Sequence, residues 1–373
     1  MIPFLDLHAA TRELKPEIDA AVARVVESGW YIGGPELTAF ETAWAEYCGA
    51  AHAVGVGNGL DALHLALKAV DVGPGDEVIV ASNGYIATQL AVSMVGATPV
   101  PVEPDPATHN LDPGRIEAAI TPRTKAILPT HLYGQPADLD AIGAVAEAHG
   151  LLVIDDAAQA HGARYKGSRI GGGDRTSITC WSFYPSKNLG ALGDGGAVTT
   201  SDPELAGRIR RLGNYGSDVR YVNQERGVNS RLDPLHAAVL RLKIGKLDEW
   251  NDRRQAIAAY YQESLAGLDG LVLPHVPEWA DPAWHLYVVR ASMSDGGIGR
   301  DGLAKRLAEV GVQTLIHYPI PPHRQQAYAD MGMAEGSLPI AERLAGEVLS
   351  LPIGPHLGME NAERVADAVR AAL

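Results

Sequence analysis

Lys187 stands in Ser182-Phe-Tyr-Pro-Ser-Lys-Asn-Leu-Gly190, after the apolar run Ile178–Phe183 and before the glycine-rich Gly190-Ala-Leu-Gly-Asp-Gly-Gly196. A lysine held on a turn between two strands, with small residues leaving room for a flat ligand, is a candidate nucleophile toward carbonyls. Desolvation lowers the pKa of such an amine and lets it form a Schiff base. Other segments offer matching chemistry. In Gly55-Val-Gly-Asn-Gly-Leu-Asp-Ala-Leu63 an apolar run leads into glycines and then a helical pattern. Free N–H groups and the helix dipole at Gly59–Asp61 would bind a phosphate. The spacing is G-x-G-x-G rather than the G-x-G-x-x-G of a dinucleotide site, although a dinucleotide or a plain turn stays open. Tyr85, in Asn83-Gly-Tyr-Ile-Ala-Thr88, could stack on a planar ring or fill a core. In Leu152-Val-Ile-Asp-Asp-Ala-Ala-Gln159 a buried strand ends in two carboxylates, one of which could pair with a protonated ring nitrogen, the other serving as a helix cap or surface acid. Ser182 could donate its hydroxyl to a phosphate.

These residues need a scaffold, and the hydrophobic pattern supplies one. Helices are expected from Pro16 to Ser28 and over Glu36–Tyr47. Strands and helices then alternate. Strands are expected at Ala53–Val56, Glu77–Ala81, Thr98–Val102, Lys125–Pro129 and Leu151–Ile154. Helices are expected at Leu60–Ala69, Ile86–Met94, Pro113–Ile120 and Leu139–Ala148. This rhythm predicts an α/β fold with a mainly parallel sheet covered on both faces, its ligand beyond the carboxyl ends of the strands. A long helix is expected from Pro234 through Tyr261. It leads into a smaller unit with strands at His285–Arg290 and Thr314–His317 and helices at Arg300–Val310, Ala341–Leu349 and Ala362–Ala371. The expected division is a large domain over 1–244 and a small C-terminal α/β domain over 245–373.

Composition narrows the function. The chain has 373 residues, 46% of them hydrophobic and 41 of them glycine, which suits a compact α/β enzyme. The net charge of −14 argues against nucleic acid as a partner, because a phosphate backbone needs a basic surface. Cys48 and Cys180 form no CxxC pair, so neither a zinc set nor a disulfide framework is expected, and the chain reads as cytoplasmic. No signal peptide is expected at Met1-Ile-Pro-Phe-Leu-Asp-Leu7, and no apolar run approaches the roughly 18 residues of a membrane span.

A phosphate cradle, a stacking aromatic, an acid for a ring nitrogen and a Schiff-base lysine are together what pyridoxal 5'-phosphate requires. The chain resembles the DegT/DnrJ/EryC1/StrS family of sugar aminotransferases, a branch of the fold-type I pyridoxal phosphate enzymes. The resemblance rests on Pro3–Leu7, Asn58–Leu63, His131-Leu-Tyr-Gly-Gln135, Asp155-Asp-Ala-Ala-Gln-Ala160, Ser182…Lys187-Asn-Leu-Gly190, Gly193–Ala197 and Gly227-Val-Asn-Ser-Arg-Leu-Asp233. It implies that Lys187 carries the cofactor, Asp156 faces the ring nitrogen and Gln159 lies beside the 3-hydroxyl. It further implies that Ser182 and the N–H groups of Gly59 and Leu60 hold the phosphate, and that Tyr85 stacks on the ring. Family members often have Thr where this chain has Leu60, so a side-chain hydroxyl contact is missing there. Asn229 matches an asparagine that reaches the partner subunit's cofactor phosphate, which implies a homodimer with shared active sites.

The segments Asn214–Tyr221 and Ile316–His323, with Phe183-Tyr184, resemble the members that aminate C3 of dTDP-3-keto-6-deoxyhexoses. In them Tyr184, His317 and Tyr318 would line the sugar and pyrophosphate pocket, and Arg220 would meet the pyrophosphate. L-Glutamate is the expected amino donor. A C4 or cyclitol aminotransferase, and a non-catalytic regulator on the same fold, remain alternatives. Related sugar dehydratases carry histidine at the lysine position, and Lys187 argues against that chemistry.

Overall fold

The computed structural model describes residues 1–172, 176–292 and 297–373. Three N-terminal helices come first: α1 (Leu7–Glu13), α2 (Lys15–Ser28) and α3 (Pro35–Cys48). The central sheet follows. Its strands are β1 (His52–Val56), β2 (Glu77–Ala81), β3 (Thr98–Val102), β4 (Thr124–Leu128) and β5 (Leu152–Asp156). Between and after them run α4 (Gly59–Ala69), α5 (Ile86–Met94) and α6 (Leu139–His149). A small hairpin, β6 (Arg164–Tyr165) and β7 (Ser168–Arg169), precedes β8 (Ile178–Ser182) and β9 (Gly196–Thr200).

The seven-stranded sheet has the order β1-β9-β8-β5-β4-β2-β3. β3, β2, β4, β5 and β8 pair in parallel. β9 runs against both β8 and β1, so β8 and β9 form the antiparallel pair whose connection carries Lys187. Alternate residues of each strand enter two cores, as a pleated sheet covered on both faces requires. Val54, Val78, Val80, Leu128, Ile154, Cys180 and Val198 pack with α4, α5 and α7 (Pro203–Gly213). Ala53, Trp181 and Ala197 face the other way, against α3 and α8 (Pro234–Ser264), while Ile79, Ile127 and Val153 on that face meet α6.

The C-terminal elements are β10 (Leu271–Val272), β11 (Ala280–Asp281), β12 (Tyr287–Ala291), α9 (Gly299–Glu309), α10 (Pro339–Glu347), β13 (Val348–Leu351) and α11 (Met359–Ala372). β10, β12 and β13 form an antiparallel sheet, while β11 extends the β6–β7 hairpin. A third core joins Ile257, Ala258 and Tyr261 of α8 to β12, β13, α9, α11 and Ile2. Because α8 also gives Ala237, Leu240 and Leu247 to the core beneath the large sheet, we place the passage between the two units within this helix.

Three expected elements differ. Pro113–Ile120 forms two short 3₁₀ turns, Pro113–Arg115 and Glu117–Ala119, rather than one helix; Gly114 in the first turn is a poor helix residue. Thr314–His317 makes a single bridge, Leu315 to Ser350, rather than a strand. The helix expected over Ala341–Leu349 stops at Glu347, and Val348–Leu351 pairs with β12. A short, fully buried apolar run satisfies either period, so long-range pairing decides it.

Candidate active site

The site lies beyond the carboxyl ends of β1, β5 and β8. At the β1–α4 turn, Asn58 caps the helix by accepting the Asp61 N–H at 2.9 Å, and the first-turn N–H groups have no acceptor within the helix. A Cβ on Gly59 would stand 2.6 Å from the Ser182 Cβ, so only glycine lets this helix start meet the end of β8. The Ser182 hydroxyl accepts the Tyr184 N–H at 3.3 Å. Ser230 closes the turn from behind, accepting the Gly57 N–H at 2.9 Å and donating to Asp61 at 2.7 Å.

Asp156, at the end of β5, is buried. Its Oδ2 accepts the Thr88 hydroxyl at 2.7 Å and its Oδ1 the Ala158 N–H at 3.2 Å. The alternation of β5 turns its neighbour Asp155 to the other face, where it lies 3.4 Å from His131 Nε2. Since His131 Nδ1 accepts the Ala137 N–H, Nε2 carries the ring proton toward Asp155. Asp155 is therefore a buried structural acid, neither a cap nor a surface group.

Lys187 is half-buried on the β8–β9 connection. Burial pushes its amine down to about 8, with the negative charge of Asp156 opposing. Three imidazoles feel the same burial and, after it, the charge of Lys187: His161 falls to about 3, His317 to about 4 and His285 well below its ordinary value. All three are neutral at pH 7. The turn itself is pinned. Asn188 donates to Asn251 at 2.9 Å and to the Ala283 carbonyl at 2.7 Å, and its oxygen lies 3.2 Å from His285 Nδ1. Lys243 of α8 donates to the Gly190 carbonyl at 2.6 Å.

Gln159 accepts the Tyr133 N–H at 2.6 Å and donates to the Tyr318 hydroxyl at 3.1 Å. Tyr318 in turn lies 5.3 Å, centroid to centroid, from the exposed ring of Tyr85. The His317 carbonyl accepts the Tyr133 hydroxyl, and its Nδ1 lies 2.8 Å from the Ser350 hydroxyl. Lys187, Asp156, Gln159, Ser182, Gly59, Leu60, Tyr85, His317 and Tyr318 thus gather in one region, with Tyr184 exposed at its rim.

Among the described residues, the side chains of Arg220 and Asn229 make no hydrogen bond to this group, although Ser230, next to Asn229, closes the Gly57–Asp61 turn. Arg220 and Asn229 are both exposed on the connection between α7 and α8. The Arg220 guanidinium sits 4.8 Å over Tyr221, and Asn229 is bridged through its backbone to Asn214. Sequence reasoning missed Thr88, Tyr133, His161, Asn188 and His285. Thr88 and Asn188 lie inside segments already singled out, whereas nothing local marks His161 or His285. Among the described residues no helix is long and apolar enough to cross a membrane, and no three His, Cys, Asp or Glu side chains are placed to hold a metal ion.

The residues present fit pyridoxal phosphate: a cradle whose floor a Cβ at position 59 would fill, a buried acid and a half-buried amine of lowered basicity. Comparison with known proteins agrees with this chemistry. The chain is 58% identical over 370 residues to the "Erythromycin biosynthesis sensory transduction protein EryC1" of Saccharopolyspora erythraea, covering 99% of each. It is 57% identical over 369 residues to the "dTDP-3-amino-3,4,6-trideoxy-alpha-D-glucose transaminase" of Streptomyces venezuelae, covering 99% of this chain and 95% of that one. The crystal structure of S. venezuelae DesV in complex with a ketimine intermediate superposes with a TM-score of 0.96 at 57% identity, over 99% of this chain and 98% of that one. The family signature itself matches residues 12–370. On a match of that extent, this chain belongs to the DegT/DnrJ/EryC1/StrS aminotransferase family and is a sugar aminotransferase.

Proposed function

We propose that this aminotransferase holds pyridoxal 5'-phosphate on Lys187 and moves an amino group from L-glutamate to C3 of a dTDP-linked 3-keto-6-deoxyhexose. The observation that carries the reading is the Lys187 amine, lowered to about 8 by burial and countered by Asp156. The bound cofactor supplies a carbonyl for that amine and an electron sink for the carbanion. The protein residues do the rest. The Gly59 and Leu60 N–H groups and the Ser182 hydroxyl hold the phosphate. Asp156 would pair with the ring nitrogen and keep it protonated, Gln159 would hydrogen-bond the 3-hydroxyl and Tyr85 would stack on the ring. With its basicity lowered by burial, Lys187 is more readily neutral near pH 7 than an exposed lysine. Once displaced by the incoming amine it can take the proton from one reacting carbon and return it to the next. His161, His285 and His317, neutral at pH 7, add no competing cation beside it.

His317, Tyr318 and Tyr184 line the sugar side. We assign Arg220 and Asn229, exposed on the connection between α7 and α8, to a site shared across a homodimer, with Arg220 on the sugar's pyrophosphate and Asn229 on the partner's cofactor phosphate. The name of the S. venezuelae relative supports both the dTDP carrier and amination at C3.

Purified protein should be yellow, and L-glutamate should bleach its visible band. Colour without a glutamate response would overturn the assignment of the donor, and protein that takes up no cofactor would overturn the whole reading. A panel of dTDP- and UDP-linked 3-keto and 4-keto sugars, with product position read by NMR, tests the substrate; amination at C4 would refute the C3 assignment. Lys187→Ala should abolish turnover and retain non-covalent cofactor binding.

A further inference from the structure

Thr88 has no part in the reaction so far, yet it makes the shortest contact to the acid on which the reaction depends. It lies in the first turn of α5 and is 2% exposed. Its backbone N–H is occupied by the Tyr85 carbonyl at 3.3 Å, and its hydroxyl donates to Asp156 Oδ2 at 2.7 Å. The other oxygen, Oδ1, receives the Ala158 N–H at 3.2 Å, the long end of the range for such a bond.

We propose that Thr88 is a positioning residue for the transamination, holding the Asp156 carboxylate in one orientation toward the cofactor's ring nitrogen. A donated hydrogen bond favours the ionised form of a carboxylate. At a buried acid little solvent competes, so a single donor weighs more than it would at the surface. The two donors come from separate elements: Ala158 follows β5, whereas Thr88 is delivered by the start of α5 after β2. Thr88 thus ties the orientation of the acid to the segment that carries Tyr85, three residues earlier. This inference rests on the assignment of Asp156 to the ring nitrogen.

The test uses holoenzyme of the wild type, Thr88→Val, Thr88→Ser, Asp156→Asn and the double variant Thr88→Val/Asp156→Asn. The visible absorbance of the bound cofactor is titrated against pH without substrate, beside kcat and KM for L-glutamate and the Tm of cofactor-free protein. Valine preserves the shape and removes the donor. The Thr88→Val variant is expected to move the titration midpoint by about half a unit or more and to lower kcat about tenfold, with KM within about twofold. Thr88→Ser is expected to restore both. The double variant should be no worse than Asp156→Asn, because the two residues act as one unit.

If Thr88→Val lowers Tm while the midpoint and kcat stay put, or if the double variant is additive, Thr88 is structural only and the inference fails. If Asp156→Asn leaves the midpoint unmoved, the assignment of the acid fails and takes the inference with it. Should Thr88→Val not fold, Thr88→Ala judged against Thr88→Ser gives the same reading.

Discussion

Gly59 and Ser182 approach so closely that their contact forms the floor of the proposed phosphate cradle, with 2.6 Å between a Cβ built at 59 and that of Ser182. A methyl group there must push the helix start and the end of β8 apart, at a cost of about 1–3 kcal/mol. The displacement falls on the N–H groups and the hydroxyl proposed to bind the phosphate. Gly59→Ala is therefore expected to weaken pyridoxal phosphate binding about tenfold or more, since each 1.4 kcal/mol is a factor of about ten. Equilibrium dialysis checks this. Unchanged affinity would move the phosphate elsewhere. Leu60 beside it is expected to tolerate Thr with little effect on binding, because only its backbone N–H is proposed to meet the phosphate.

α8 is the element that holds the reactive turn in place. Lys243 reaches the Gly190 carbonyl, and Asn251, eight positions further along the same helix, accepts from Asn188 and donates to the His161 carbonyl. Asn188 and Gly190, just after Lys187, thus lean on one rigid rod that also continues into the C-terminal core. Lys243 is 6% exposed, and burial pushes it down to about 8 from 10.5.

The sign of the pH effect follows from proton counts. Between about pH 8 and 10.5 the unfolded chain binds a proton at this site that the native chain does not, so the burial penalty is full below pH 8 and fades as pH rises. Lys243→Met removes both the penalty and the anchor. Wild type should gain stability relative to the variant as pH rises through that window, read by denaturant melts at several pH values. Hydrogen exchange over residues 183–191 should accelerate in the variant at pH 7. Unaltered exchange would show that Asn188 alone holds the turn.

At the scale of the whole molecule, the connection between α7 and α8 presents Tyr215, Val219, Tyr221 and Val222 to solvent beside Arg220 and Asn229. Large apolar side chains gathered on one exposed segment suit a subunit contact. A shared site makes a sharp prediction. Lys187→Ala protein and Asn229→Ala protein, each defective alone, should recover activity when unfolded together and refolded. Every hybrid dimer then contains one site with both an intact lysine and an intact asparagine. Random reassortment would give about a quarter of wild-type activity. No recovery beyond the average of the two parents would place Asn229 in the site of its own chain.

Local residue order determined much of this protein. The βα rhythm, the Gly59 turn, the acid at the end of β5 and the lysine after β8 were all legible, because helix and strand periods, glycine turns and strand-end positions are properties of short segments. Tertiary structure alone decided the rest. Val348–Leu351 became a strand because β12 offered it an edge, a choice that a short buried run cannot make by itself. Asp155 and Asp156 look equivalent in sequence, yet the pleat sends one to His131 and the other to Thr88. Lys187 owes its lowered basicity to burial, which outweighs the opposing charge of a carboxylate 31 positions away in the chain. Desolvation depends on everything packed around a group, and no single segment contains that information.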